Sequence, residues 1–272
     1  MRIWMKIPCS INPIRSSGRL AGFLMLSLFL IGCAGESEPP APDVPSQVNE
    51  IAPGLLVGYL SPEELPNSLE LLPAPPEEGS AAFALDQEVS RAHLELRGTP
   101  RWEQAIRDAE LHFPEAAQAF AGVVDIPITE EDTPRLYLLL RRTLTDAGLS
   151  TYAAKNHYVR QRPFMHNDEP VCTPEDEEAL RNDGSYPSGH TAVGWAWALI
   201  LCEIFPERTD AILARGRDFG ESRVVCNVHW QSDVNSGRIM GAATVARLHA
   251  DPEFISDMAA AKAEVARHSD QH

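Results

Sequence analysis

Pro187-Ser188-Gly189-His190 runs directly into Thr191-Ala192-Val193-Gly194-Trp195-Ala196-Trp197-Ala198-Leu199-Ile200-Leu201-Cys202-Glu203-Ile204-Phe205. The second part would be apolar on nearly every side of a helix, yet it is too short to cross a bilayer. It predicts a buried core helix. A helix buried on all faces needs other helices around it, and the flanking sequence supplies candidates. Upstream, residues 82–96 and 102–113 mix apolar and charged residues at three-to-four spacing, and Gly98 is placed to end the first. Asp132-Thr133-Pro134 reads as a helix start, with residues 135–147 as its body and Gly148 as its stop. Residues 150–162 predict a further helix ended by Pro163, because the residue before proline resists the α region. Downstream, residues 210–219, 229–250 and 251–268 continue the series. No convincing alternating strand is present. The expected class is all-α, a single compact helical domain.

Three segments of this helical half carry reactive side chains: Lys155-x6-Arg162-Pro163, Pro187-Ser188-Gly189-His190, and Ser222-Arg223-x5-His229-x3-Asp233. Lys155, Arg162 and Arg223 are three cations, which suit a tetrahedral oxyanion. Lys155 and Arg162 are seven apart, so on one helix they would project from one face. The turn at Ser188-Gly189 sits where a helix N-terminus offers unpaired N–H groups and a positive dipole end. Gly189 lets an anion approach the backbone, Ser188 can add a hydrogen bond, and His190 stands beside it as a proton donor. His229 and Asp233 are one helical turn apart. A carboxylate accepting from one ring nitrogen leaves the other unprotonated and nucleophilic. A set dominated by cations repels metals, so neither a metal nor any other cofactor is expected.

The first 32 residues read as a leader: Arg2, Lys6, Arg15 and Arg19 without an acidic residue, then an apolar stretch from Leu20 to Ile31. Leu30-Ile31-Gly32-Cys33 resembles a bacterial lipobox, in which Cys33 would be acylated. The other reading is an ordinary signal peptide with an incidental cysteine. Ala34 favours the outer membrane, with a soluble periplasmic protein as the alternative. Residues 33–53, with Pro39, Pro40, Pro42 and Pro45, read as an acidic tether, and residues 54–272 as the catalytic domain. Taking the leader's four cations away from a formal charge of −16 leaves −20, which argues against nucleic acid and against lying on anionic lipid. Membrane contact is expected through the N-terminal lipid only. Beyond Cys9 and Cys33, three cysteines remain. Cys202 lies in the apolar helix and reads as a free thiol, so Cys172 and Cys226 are the favoured disulfide.

The three segments, in this order, resemble the signature of the type 2 phosphatidic acid phosphatase superfamily, which includes bacterial class A acid phosphatases and vanadium haloperoxidases. Gly184-Ser185-Tyr186-Pro187-Ser188-Gly189-His190-Thr191, Asn156-His157-Tyr158 and His229-Trp230-Gln231-Ser232-Asp233-Val234 are similar to the class A acid phosphatases in particular. The resemblance runs from about residue 60 to 268. It implies a metal-free hydrolysis of small phosphate monoesters of broad range. His229 would be the nucleophile, His190 the acid and base, and Asp233 the orienting carboxylate; Lys155, Arg162, Ser188, Gly189 and Arg223 would hold the phosphate. It also implies a phosphohistidine intermediate, transfer to other alcohols as a side reaction, and a homodimer. A vanadate-dependent haloperoxidase and a non-catalytic phosphate-binding envelope lipoprotein are the competing expectations.

Overall fold

Residues 48–269 are described in the computed structural model of the chain. The leader, Cys33 and most of the tether fall outside them. The described chain opens with a small antiparallel hairpin, β1 (Glu50–Ala52) and β2 (Leu55–Leu56), turned through Gly54 at φ 78°. This is a correction to the expectation of no strand. Strands of three and two residues are too short for a period of two to register in sequence, and the hairpin straddles the expected boundary between tether and domain.

Helices then follow: α1 (Ser68–Leu71), α2 (Ala81–Leu94), α3 (Pro100–Arg107), α4 (Gln118–Val124), α5 (Pro134–Leu149), α6 (Tyr152–Tyr158) and α7 (Phe164–Asn167). The second half adds α8 (Glu177–Arg181), α9 (Gly189–Ile204), α10 (Thr209–Val225), α11 (Gln231–Leu248) and α12 (Pro252–Ser269). The fold is all-α, as expected. No helix among the described residues is long and apolar enough to cross a membrane.

The apolar run after Pro187-Ser188 is α9, the axis of the core, packed by α5, α10 and α11. Ala192, Val193, Ala196, Trp197, Ile200 and Leu201 are each at most 1% exposed. Burying side chains of the larger kinds is worth about 1.5–3 kcal/mol apiece. Trp197 satisfies its indole by donating to the Leu140 carbonyl of α5 at 3.0 Å. Gly237 of α11 makes the closest approach possible: a Cβ there would lie 2.5 Å from the Ser188 carbonyl. That contact sets the start of α11 against the entrance of α9. Glu264 of α12 accepts from Arg135 and Leu136 N–H at 3.1 Å and so closes the N-terminus of α5, where Pro134 occupies the first turn.

Three helix expectations are corrected: the helix expected over 102–113 is α3, which ends at Arg107, and the other two lie at the site. The helix expected over 150–162 is α6, which ends at Tyr158, because Val159 takes the left-handed region at φ 44°. A β-branched residue there is strained. What holds it is Gly184, which packs so closely that a Cβ would lie 2.7 Å from the Lys155 carbonyl. Ser185 N–H also donates to the Arg160 carbonyl at 2.8 Å. Lys155 and Arg162 therefore do not share a helix face; Arg162 lies in the loop after α6. Likewise α11 begins at Gln231, so His229 precedes the helix. Asp233 is its third residue and caps it, accepting from Trp230 N–H at 2.8 Å.

Cys172 and Cys226 are bonded, with Cα atoms 4.7 Å apart, tying the loop before α8 to the end of α10. Closing a loop of 54 residues contributes about 4 kcal/mol in the chain-entropy account. Cys202 is a half-buried free thiol.

Candidate active site

Each element delivers one part of a polar cluster at the entrance of α9. α6 supplies Lys155, buried, whose Nζ donates to Asp183 Oδ2 at 2.9 Å and to the Gly184 carbonyl at 2.5 Å. Burial, and then the nearby Arg162 charge, pull its pKa down to about 8. The loop after α6 supplies Arg162, 1% exposed. Its Nη2 also donates to Asp183 Oδ2 at 2.9 Å, and its Nη1 to the Val228 carbonyl at 2.9 Å. A single carboxylate thus bridges two of the three motif cations.

Arg223, in the last turns of α10, is the third cation. It is 1% exposed, and its Nε and Nη1 have no hydrogen-bond partner. Burial, then the Arg162 charge, pull its pKa down to about 10. A buried guanidinium with unpaired N–H groups costs folding free energy, several kcal/mol in unfavourable cases. Such a group suits an incoming anion.

Ser188 caps α9: its Oγ accepts from Thr191 N–H at 3.3 Å and from Thr191 Oγ1 at 3.0 Å, leaving its own proton free. Gly189 opens the helix. A Cβ there would meet Thr151 Oγ1 at 3.6 Å and Lys155 Cε at 4.0 Å, ordinary contacts, so the protein itself does not demand glycine at this point. His190, half-buried in the first turn, donates from Nε2 to the Ala109 carbonyl at 2.9 Å. A carbonyl only accepts, so Nδ1 is the nitrogen that gains and loses a proton. Burial, then the Arg223 charge, hold this histidine well below its usual pKa.

His229 is 2% exposed and sits between opposite kinds of partner. Arg162 Nη1 lies 3.1 Å from its Nε2. A guanidinium only donates, so Nε2 carries the lone pair and Nδ1 the proton. On the Nδ1 side, Asp233 Oδ2 and Ser185 Oγ are each 3.4 Å away. Asp233 does face the ring as the motif spacing suggested, but at long range; the tautomer is set more directly from the Arg162 side. Burial, then the charges of Arg162, Lys155 and Arg223, push the His229 pKa well below the usual value.

All eight expected positions therefore come together. Three residues absent from the expected set join them. Asp183 bridges Lys155 and Arg162, Ser185 donates to Asp233 Oδ2, and Arg160 Nη1 donates to Asp233 Oδ1 at 2.6 Å. Ser185 lies within the stretch Gly184–Thr191, Asp183 immediately precedes it, and Arg160 lies in the spacer between Lys155 and Arg162. Their position was legible, but their contacts were not. Among the described residues, no three His, Cys, Asp or Glu side chains group as metal ligands would.

A family model described as the PAP2 superfamily matches residues 136–255, which contain every one of the eight positions. The non-specific acid phosphatase of Providencia stuartii is 44% identical over 252 residues, covering 89% of this chain and 99% of that protein. The non-specific acid phosphatase of Salmonella typhimurium is 44% identical over 208 residues, covering 76% and 83%. The acid phosphatase of Zymomonas mobilis is 41% identical over 194 residues, covering 71% and 74%.

Proposed function

We propose, for a chain that belongs to the PAP2 superfamily and within it to the non-specific acid phosphatases, hydrolysis of phosphate monoesters through a phosphohistidine. The observation that carries this reading is the buried, partnerless face of the Arg223 guanidinium in a cluster that also contains the lone pair of His229 Nε2.

The phosphoryl oxygens take hydrogen bonds from Arg223, Lys155, Arg162, the Ser188 hydroxyl and the Gly189 amide. Arg162 Nη1 turns from His229 Nε2 to the substrate as it enters. Nε2 then attacks phosphorus, the P–O ester bond breaks, and His190 gives its proton to the departing alkoxide. In the second step His190 takes a proton from water as its oxygen attacks phosphorus. The P–N bond breaks and phosphate leaves. Fixed charge does the stabilising throughout. An alcohol in place of water would give phosphotransfer. A broad range of esters is part of the same proposal, supported by the similarity to acid phosphatases named non-specific. The lipobox-like Leu30-Ile31-Gly32-Cys33 supports an envelope lipoprotein.

The intermediate is tested by denaturing the enzyme in alkali seconds after mixing with radiolabelled phosphate ester. Label is expected on protein, stable in alkali and lost in acid, as a phosphorus–nitrogen bond is. Label that survives acid, or none under burst conditions, would overturn the phosphohistidine.

The pH profile carries a signed expectation. His190 must be protonated, and both burial and Arg223 disfavour its charged form, so activity falls as pH rises through a depressed value. The alkaline limb of kcat/KM, which reports free enzyme, is expected below pH 6.5. A bound phosphate dianion favours the imidazolium, so the same limb of kcat lies at higher pH. Limbs that coincide at neutral pH would count against His190 as the acid.

A further inference from the structure

Behind Asp233 stands a chain of buried charges that the proposed chemistry does not use. Arg160 Nη1 donates to Asp233 Oδ1 at 2.6 Å and to Ser232 Oγ at 2.7 Å. Its Nη2 donates to Asp86 Oδ2 at 2.8 Å. Asp86, on α2, is held in turn by Ser232 N–H at 2.9 Å and Ser232 Oγ at 2.5 Å. The side chains of Arg160, Asp86 and Asp233 are 8%, 4% and 0% exposed. The rings of Phe83 and Trp230 lie 5.9 and 5.5 Å from the guanidinium, and His166 packs edge-on against both.

As a source of stability such an array is a poor choice, because desolvating each ion costs several kcal/mol and apolar residues of equal volume often do as well. What it supplies is a carboxylate fixed in place and balanced in charge. Asp233 Oδ2 meets Ser185 Oγ, Trp230 N–H and, at 3.4 Å, His229 Nδ1. Left without Arg160, this carboxylate would be an uncompensated buried anion beside the ring. Beside such an anion His229 would take up a proton at higher pH.

We propose that Arg160, anchored by Asp86, is a positioning residue that holds Asp233 and keeps His229 from taking up a proton under acid conditions. The proposal rests on the reading of His229 as nucleophile. The other charged groups facing the pair are Lys155 from α6, Arg162 from the following loop, His190 from α9 and Arg223 from α10, with Asp183 bound to Lys155 and Arg162. None of these is altered by a change at Arg160 or Asp86.

Two variants separate this role from simple loosening, because they move the pair in opposite directions. In Arg160→Gln the balancing cation is gone, and the acid limb of kcat/KM is expected to rise by about one pH unit. In Asp86→Asn the cation loses its own counter-charge and bears fully on Asp233, so the limb moves down or stays while kcat falls. Arg160→Lys restores the charge and brings the limb back towards wild type. The same shifts are read without turnover by NMR titration of labelled histidine, with the His229 signal identified from His229→Asn. An inactive wild-type enzyme would thus strike the nucleophile reading and leave the Arg160 test standing. Equal limbs in wild type and Arg160→Gln, or a rise in both variants, would overturn the proposal. If Arg160→Gln does not fold, a rise in Asp86→Asn alone does so.

Discussion

Turnover of a chromogenic phosphate ester falls by about 10⁴- to 10⁶-fold when His229 is replaced by alanine, with the fold retained. The size follows from what is lost. His229 offers a ring nitrogen whose lone pair is held beside the three motif cations, with Arg162 Nη1 at 3.1 Å. Its replacement leaves the phosphate grip intact, so binding of inorganic phosphate persists while covalent chemistry stops. The circular dichroism spectrum should match wild type, and no label should be trapped on protein. His229 is buried and neutral, so alanine removes ring packing but leaves no unpaired charge. A variant with near-normal kcat would remove His229 from the mechanism altogether.

Replacing Arg223 by methionine separates function from stability in the opposite sense. The guanidinium is 1% exposed, and its Nε and Nη1 have no partner. A long apolar side chain of similar volume relieves that unmet demand, worth roughly 1–3 kcal/mol. At this size that is about 2–4 °C in Tm per kcal/mol. The ligand-free variant is therefore expected to melt higher than wild type, while kcat/KM drops by about 10³- to 10⁵-fold, as when an arginine that stabilises a transferring phosphoryl group is removed. Added phosphate or vanadate should raise the wild-type Tm and leave that of the variant nearly unchanged. A lower Tm with activity retained would mean that Arg223 is a structural residue whose partners were misjudged. Sites that hold an unpaired charge ready for substrate commonly trade stability for activity in this way.

The cluster was legible in sequence because its chemistry is concentrated in a few side chains at recognisable spacings. Lys155, Arg162, Ser188, Gly189, His190, Arg223, His229 and Asp233 each stood in a motif, and they do converge. Spacing misled wherever it was turned into helix geometry. A separation of seven between Lys155 and Arg162 suggested one helix face, yet α6 ends at Tyr158, where Val159 turns left-handed under the close approach of Gly184. A separation of four between His229 and Asp233 suggested two side chains on one helix, yet only Asp233 is helical, and it caps α11 through Trp230. At α6 a long-range contact overrode local propensity, and no short window contains both partners; at α11 the local cap from Asp233 to Trp230 N–H set the start of the helix after His229. The same limit hid Asp86, which lies 147 residues before Asp233 in the numbering but joins it through Arg160.

Composition, apolar periodicity and the motif residues were therefore enough for the all-α class, the buried axis at α9 and the eight positions that converge at its entrance. These depend on which side chains are present, and a chain carries that information one residue at a time. The three-dimensional packing settled the rest: which nitrogen of His229 holds the lone pair, which carboxylate bridges Lys155 and Arg162, which cation is left unpaired, and what stands behind Asp233. Those are properties of neighbours brought together from distant parts of the chain, where a shift of an ångström changes a hydrogen bond and burial decides the charge.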